Sequence, residues 1–529
     1  MLRAAMTRIT LALLACALLA CSHPAPSPAH AGSHAAYDLE EKTVGMLQDD
    51  LAAGRISSEQ LVSLYNDRIA ALDRRGPALH AVIALNPNAL NDARALDQQR
   101  ARGQVRGPLH GIPILLKDNI ESADPLPTTA GSLALAANIT HRDAPIVAQL
   151  RAAGAVVLGK SNLSEWANLR SSYATSGWSA VGGLTKNPYA LERSPCGSSS
   201  GSGVAVAANL AALAIGTETD GSITCPASLV GIVGLKPTLG LVSRTRIVPI
   251  TAAQDTAGPM ARTVADVALL LRAIVGPDES DPATRDAAAH VSDYFAALKD
   301  ATLAGRKLGV MKFHLGYLPS VDALFDAAVS ELRAAGATIE VIDTFEGLEA
   351  IKEAELAVLL AGFRPELNAY LATTPETVKT RTLADLIVFN RDQAGSEMPY
   401  FGQDLFIRAE ETSKSDPAAN EAAREKNRKA AADGLDHLLA KYGLDALLAP
   451  TFSPAWMTDL VNGDHVLGEA TMLPAVAGYP HLTVPMGQVS GLPVGLSFIG
   501  PAWSEAKLLA LGYAYEQRTH LRKKPPLKE

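Results

Sequence analysis

Lys117, Ser198 and Ser222 are the residues of this 529-residue chain whose types and settings could break a carbonyl–nitrogen bond. Lys117 follows the apolar run Ile112-Pro113-Ile114-Leu115-Leu116, Ser198 sits in the Ser/Gly cluster 194–203, and Ser222 ends Thr219-Asp220-Gly221-Ser222. A serine hydroxyl is a poor nucleophile until a base removes its proton. Lysine is such a base only when neutral, so its ordinary pKa of about 10.4 must be lowered. Burial behind two leucines would do this by disfavouring the ammonium form. Taken singly, each residue has an ordinary reading. A strand-end lysine reaches for water along its stem, and serines in Gly-rich turns bond local backbone. Their arrangement argues otherwise, because two Ser/Gly turns flank one apolar stretch and the lysine directly follows a strand.

Two further motifs compete. Gly154-Ala155-Val156-Val157-Leu158-Gly159-Lys160-Ser161 matches the phosphate-loop pattern letter for letter. That chemistry needs a loop after a strand. Here the residues between the glycines read as the strand itself, so nucleotide binding is not expected. Gly197-Ser198-Ser199-Ser200-Gly201 matches G-x-S-x-G, which would make Ser199 the nucleophile of an α/β-hydrolase. The preceding 190–196 segment is polar and contains Pro195, unlike the strand that motif requires. None of His290, His314, His437, His465, His481 or His520 stands in a distinctive setting. Ser199 remains the rival serine-hydrolase reading. With twelve scattered histidines, no H-E-x-x-H and no C-x-x-C, neither a metal nor another cofactor is expected.

The elements that must hold these residues follow an α/β pattern. Ser57 and Gln60 form a capping box before Leu61, Leu64, Tyr65, Ile69 and Leu72 at helical spacing. Helices are expected over 88–102 and 144–153, and strands over 111–116 and 155–158. The stretch 204–215, nearly all Ala, Val, Leu and Ile, reads as a central small-residue helix. Residues 300–445 read as mostly amphipathic helix, including a charged one over 417–441, and 444–518 returns to strand and helix. Such alternation belongs to an α/β fold with a covered sheet.

Composition narrows the field. Hydrophobic residues make up 48% and charged ones 19%, which supplies a large core and excludes global disorder. The 47 basic residues are outnumbered by 55 acidic ones, a net −8, so no nucleic-acid partner is expected. At the N-terminus, Arg3 and Arg8 precede an apolar run, Ile9 to Ala20, too short to span a bilayer. Residues 1–20 read as a secretory signal, with Leu18-Leu19-Ala20-Cys21 as a lipobox and cleavage after Ala31 as the alternative. Residues 21–36 become a tether and 37–529 the globular body. The expected location is periplasmic or secreted, with the membrane engaged only through a lipid on Cys21.

The chain resembles the amidase signature family. The resemblance is carried by Gly111-Ile112-Pro113 with Lys117-Asp118-Asn119, by 194–201, and by Gly216-Thr217-Glu218-Thr219-Asp220-Gly221-Ser222. It continues through Gly231–Thr238, Asp255–Arg262 and Gly491–Gly500. Segments 164–168, 176–179 and 502–505 bring it nearest to the bacterial peptide amidases. Thr224 stands where the family pattern has Arg, and Cys196 and Ser200 replace two glycines. The resemblance implies one large α/β domain with a mixed central sheet covered by helices on both faces. It implies an exported amidase acting on C-terminal peptide amides through an acyl-enzyme on Ser222, with Ser198 relaying the proton to Lys117. Ser198 would follow a cis peptide bond, and the amides of Thr219, Asp220, Gly221 and Ser222 would form the oxyanion hole. Asn168, Ser199 and Asp220 are candidate substrate contacts. The rivals are a general aliphatic or aryl amidase, the Ser199 hydrolase, and a lipid-anchored protein that binds peptides without turnover. A tRNA amidotransferase subunit, also of this family, does not fit a secretory signal. Cys196 and Cys225 are expected to pack as free thiols, a disulfide being the alternative in an oxidising compartment.

Overall fold

Short apolar runs become strands here because most lie inside the sheet, buried on both faces, where alternation with polar residues is not needed. In the computed structural model, which describes residues 37–412 and 416–527, the first strands are β1 (Val82–Leu85), β2 (Pro113–Lys117) and β3 (Val156–Ser161). A separate two-stranded ribbon pairs β4 (Trp178–Ser179) with β5 (Gly183–Leu184). Next come β6 (Leu213–Glu218), β7 (Val233–Lys236), β8 (Thr256–Ala261), β9 (Lys307–Met311) and β10 (Thr338–Ile342). The last are β11 (Ala446–Pro450), β12 (His481–Val489) and β13 (Leu492–Ile499). Eleven of them form one sheet in the order β1-β3-β2-β6-β8-β7-β12-β13-β11-β9-β10. β3, β2 and β6 run parallel, as do β11, β9 and β10, and the remaining neighbours are antiparallel. The sheet is thus mixed and flanked by helices, and Leu39–Glu529 forms one compact unit. The signal, the Cys21 lipobox and the tether lie outside the described residues.

The capping box at Ser57 opens the helix Ser58–Arg68, with Gln60 N–H donating to Ser57 Oγ and Ser57 N–H to Gln60 Oε1. One expectation needs correction. The stretch 204–215 is not one helix: the helix Ser200–Ala207 stops at a turn where Asn209 takes φ 55°, and Leu213 begins β6. Asparagine tolerates that left-handed conformation, and its amide is tied to Glu41. A continuous apolar run cannot separate buried helix from buried strand by periodicity. The stretch 300–445 is mostly helix, as expected, and within it β9 and β10 extend the sheet at its edge. Beyond them, the helices Leu348–Ala372, Leu383–Asp392 and Asp404–Glu411 share a core with Trp166, Leu169, Val248 and Ile250.

The phosphate-loop match proves structural. Gly154 follows the helix Pro145–Ala152, β3 occupies the middle of the motif, and Lys160 is buried on Ile120 and Thr128.

Candidate active site

β2 and β6 are parallel neighbours, so Lys117 and Thr217 arrive at the same, C-terminal end of the sheet. Lys117 has no exposed surface. Its Nζ lies 2.7 Å from Ser198 Oγ and 2.9 Å from Thr217 Oγ1, and donates to the Thr217 carbonyl at 3.1 Å. Burial pulls its pKa down to about 7, with Asp255 and Glu218 offsetting only part of that cost. Asn119 Nδ2 donates to Thr217 Oγ1 at 3.0 Å and so holds the hydroxyl against the amine.

Ser198 follows a cis peptide bond from Gly197, and its carbonyl accepts from Ser164 N–H at 3.0 Å. A side chain at position 197 would run into Ser164 Oγ, so glycine is required by close approach there. The Ser199 amide donates to the Ser222 carbonyl at 3.0 Å, which ties the two serine turns together. Gly221, at φ 70°, lets the second turn reverse. Glu218 then accepts from the amides of Ile223 and Thr224 at 2.7 and 2.9 Å. The amides of Thr219, Asp220, Gly221 and Ser222 carry no hydrogen bond among the described residues. Four successive donors beside a serine can hold a developing oxyanion.

Ser198 and Ser222 share a cavity of about 350 Å³. Asn168 and Asp220 line it too. Asn168 is presented by three successive left-handed residues, Trp166, Ala167 and Asn168 at φ 51°, 53° and 75°, a costly backbone for residues with a Cβ. The buried Arg170–Glu165 pair holds that turn, with Arg170 also stacked on Phe401 at 4.3 Å. Asp220 stays well above the usual carboxylate range because of burial and then of Glu355 and Glu469 beside it. A larger cavity of about 550 Å³ lies behind Thr217 and Asn119, lined by Arg142, Arg244 and Tyr370, and it contains neither serine.

Ser199 does not line the serine cavity. Its Oγ donates to the Thr217 carbonyl at 3.0 Å and accepts from the Thr217 amide at 3.2 Å. No histidine lines the cavity either. His481 is spent on Ser497 and His465 on Asp459. Neither the Ser199 nucleophile nor a Ser199 substrate contact has geometric support. The thiol expectation is also corrected: Cys196 and Cys225 are bonded, with Cα atoms 6.0 Å apart, because the two turns that carry them are already brought together. The sequence reading passed over Thr217, Asn119, Glu218, Glu355 and Glu469. Asn119 stands two residues after Lys117 and Thr217 and Glu218 within the second motif, so these three were within reach; Glu355 and Glu469 come from distant chain.

An amidase family model matches residues 60–509. The chain is 51% identical to a peptide amidase from Stenotrophomonas maltophilia whose X-ray structure covers 93% of this chain and 99% of that one, with a TM-score of 0.86. An amidase family protein from Bacillus anthracis is similar at 38% identity and a TM-score of 0.84, covering 92% and 93%. A probable amidase of Arabidopsis thaliana is 40% identical over 502 residues, 92% of either chain.

Proposed function

The chain belongs to the amidase signature family, and within that family of amide-hydrolysing enzymes we propose that it cleaves the C-terminal amide of peptides to free acid and ammonia. The observation that carries the chemistry is the 2.7 Å contact between a fully buried Lys117 and Ser198. Neutral Lys117 takes the Ser222 proton through Ser198 while Ser222 Oγ bonds to the carbonyl carbon. The oxyanion settles on the free amides of 219–222. Lys117 returns the proton through Ser198 to the leaving nitrogen, the C–N bond breaks and ammonia departs. Water then attacks the ester, loses its proton to the same relay, and restores the Ser222 hydroxyl with release of the acid. Ser–Lys arrangements are an established alternative to a histidine base.

The peptide reading is supported by the 51% identity to the Stenotrophomonas enzyme and by a cavity large enough for more than a simple amide. Ammonia release from matched peptide amides and simple aliphatic or aryl amides tests it. Faster turnover of the peptide amides is expected, and reaction of simple amides alone would replace this reading with a general amidase. Tight binding with no ammonia from any of them would leave a non-catalytic binding protein.

A further inference from the structure

The cavity that holds Ser198 and Ser222 is lined by four carboxylates from three parts of the chain: Asp220, Glu355, and the neighbours Asp464 and Glu469. Against them stands one lining cation, the exposed Lys352, one turn before Glu355 on the helix Leu348–Ala372. Lys117 is shielded behind Ser198 and Thr217. Not all four acids are free. Asp464 is fully engaged by Ser176 and Trp456. One oxygen of Glu469 accepts from the Thr471 and Met472 amides and the Thr471 hydroxyl. Glu355 has one bond, from Gln254 at 2.8 Å. Asp220 Oδ1 is buried without a hydrogen-bond partner among the described residues, and the Thr471 side chain beside the carboxyl offsets only part of its burial cost.

An unpartnered buried carboxylate oxygen is costly, and three acids crowded together add repulsion. Both costs show in the protein. Asp220 is raised first by burial and then by Glu355 and Glu469, and Glu355 is pushed up to about 7 by burial with Glu469 adding to it. Gln254 bridges Glu355 to the Thr219 carbonyl, so the acidic group is braced against the nucleophile turn and cannot simply swing out. His314, facing Glu469, is held below its usual pKa by burial and supplies little countercharge. A cation entering the cavity would supply the missing partner and relieve the repulsion.

We propose that this site selects amides whose acyl part carries a positive charge, a basic side chain or free ammonium near the scissile amide, through Asp220, Glu355 and Glu469. The inference rests on the peptide-amide reading above and names the substrate class of that same site. An acidic acyl part meets three carboxylates and is rejected, since selectivity comes from repulsion as well as attraction.

The test compares N-acetyl dipeptide amides that differ only in one side chain: lysine, its uncharged analogue norleucine, or glutamate. Expected kcat/KM for the lysine substrate is about tenfold above norleucine, with glutamate about tenfold below it. Glu355→Gln should shrink the lysine-to-norleucine ratio and Glu355→Lys should invert the order of lysine and glutamate. If a variant does not fold, salt gives the same answer on the unaltered enzyme. Raising ionic strength from about 20 to about 300 mM should lower the lysine rate, raise the glutamate rate and leave norleucine flat. Equal rates for all three substrates overturn the inference while leaving the amidase reading intact. No ammonia from any of them, norleucine included, overturns the amidase reading itself.

Discussion

Lys117 and Lys160 stand on neighbouring strands, both without exposed surface, yet their surroundings fit them for different work. In the β2–β3 register Lys160 lies opposite Leu116, and Lys117 opposite Ser161, so the pleat sends the two amines to opposite faces of the sheet. Lys160 ends on the Ile120 carbonyl and the Thr128 hydroxyl, among Asp118, Asp124, Glu121 and Asp143. Burial lowers its pKa too, but four carboxylates oppose that shift, and Asp118 in turn is raised to about 6 by burial. Lys117 has Asp255 and Glu218 as its charged neighbours, and its amine ends on a serine hydroxyl at the wall of a cavity. Burial alone therefore does not mark a base. What separates a structural lysine from a reactive one is how many carboxylates face it and whether its partner can pass a proton on.

Substitution can break this contrast from either side. The largest effect is expected at the site. Ser222→Ala should reduce kcat by about 10⁴-fold or more, and Lys117→Ala by about 10³- to 10⁴-fold, measured as ammonia release. Because the residues act as one unit, Lys117→Ala/Ser198→Ala should be little worse than Lys117→Ala. A Lys117→Ala enzyme with near-normal turnover would overturn the assignment. On the other strand, Lys160→Met leaves the buried Asp118 without its cation and should cost about 3–5 kcal/mol in a denaturant titration. Turnover per folded molecule should be retained. If Lys160→Met instead loses activity at unchanged stability, the two lysines have been assigned the wrong way round.

The pH dependence sharpens the same comparison. If neutral Lys117 is the base, as proposed, kcat/KM should climb with pH to a plateau, with a midpoint near the lowered pKa of about 7. That limb should vanish in Lys117→Ala. Linkage fixes the sign for stability. The folded state holds fewer protons than the unfolded one between about 7 and the ordinary 10.5, so this group's contribution to stability rises with pH across that window. The smallest effect is expected from Ser199→Ala. It removes two bonds to Thr217 and should cost about 1–2 kcal/mol of stability with activity largely kept. Loss of all acyl-enzyme in Ser199→Ala would restore the rival nucleophile.

The site was legible in sequence where its chemistry is local. Lys117 follows its strand, and both serines lie in turns that their own Ser and Gly residues build. Asp220 was legible as a neighbour of Ser222, but not its crowding by Glu355 and Glu469, which depends on how distant helices and loops are laid over the sheet. The cysteines show the same limit, since neither flank signals a partner until the two turns meet. Within the fold, 204–215 was misread because Ala, Val and Leu suit a buried helix and a buried strand alike. Lys307-Leu308-Gly309-Val310-Met311 was missed because a five-residue strand lies hidden in a long helical stretch.

Lys352, Glu355 and Leu359 reach the cavity from one helix, Leu348–Ala372, within a run from β9 to the helix Pro417–Tyr442. That run contributes none of Lys117, Ser198, Ser222, Thr217 or Asn119. Within the sheet it meets the rest at the strand border β9–β11, while its helices share a core with Trp166, Leu169, Val248 and Ile250. On the roles proposed above, bond breaking and part of the choice of substrate are encoded in separate stretches of polypeptide. Substitutions along that helix would therefore alter Lys352 and Glu355 in the cavity without touching Lys117, Ser198 or Ser222.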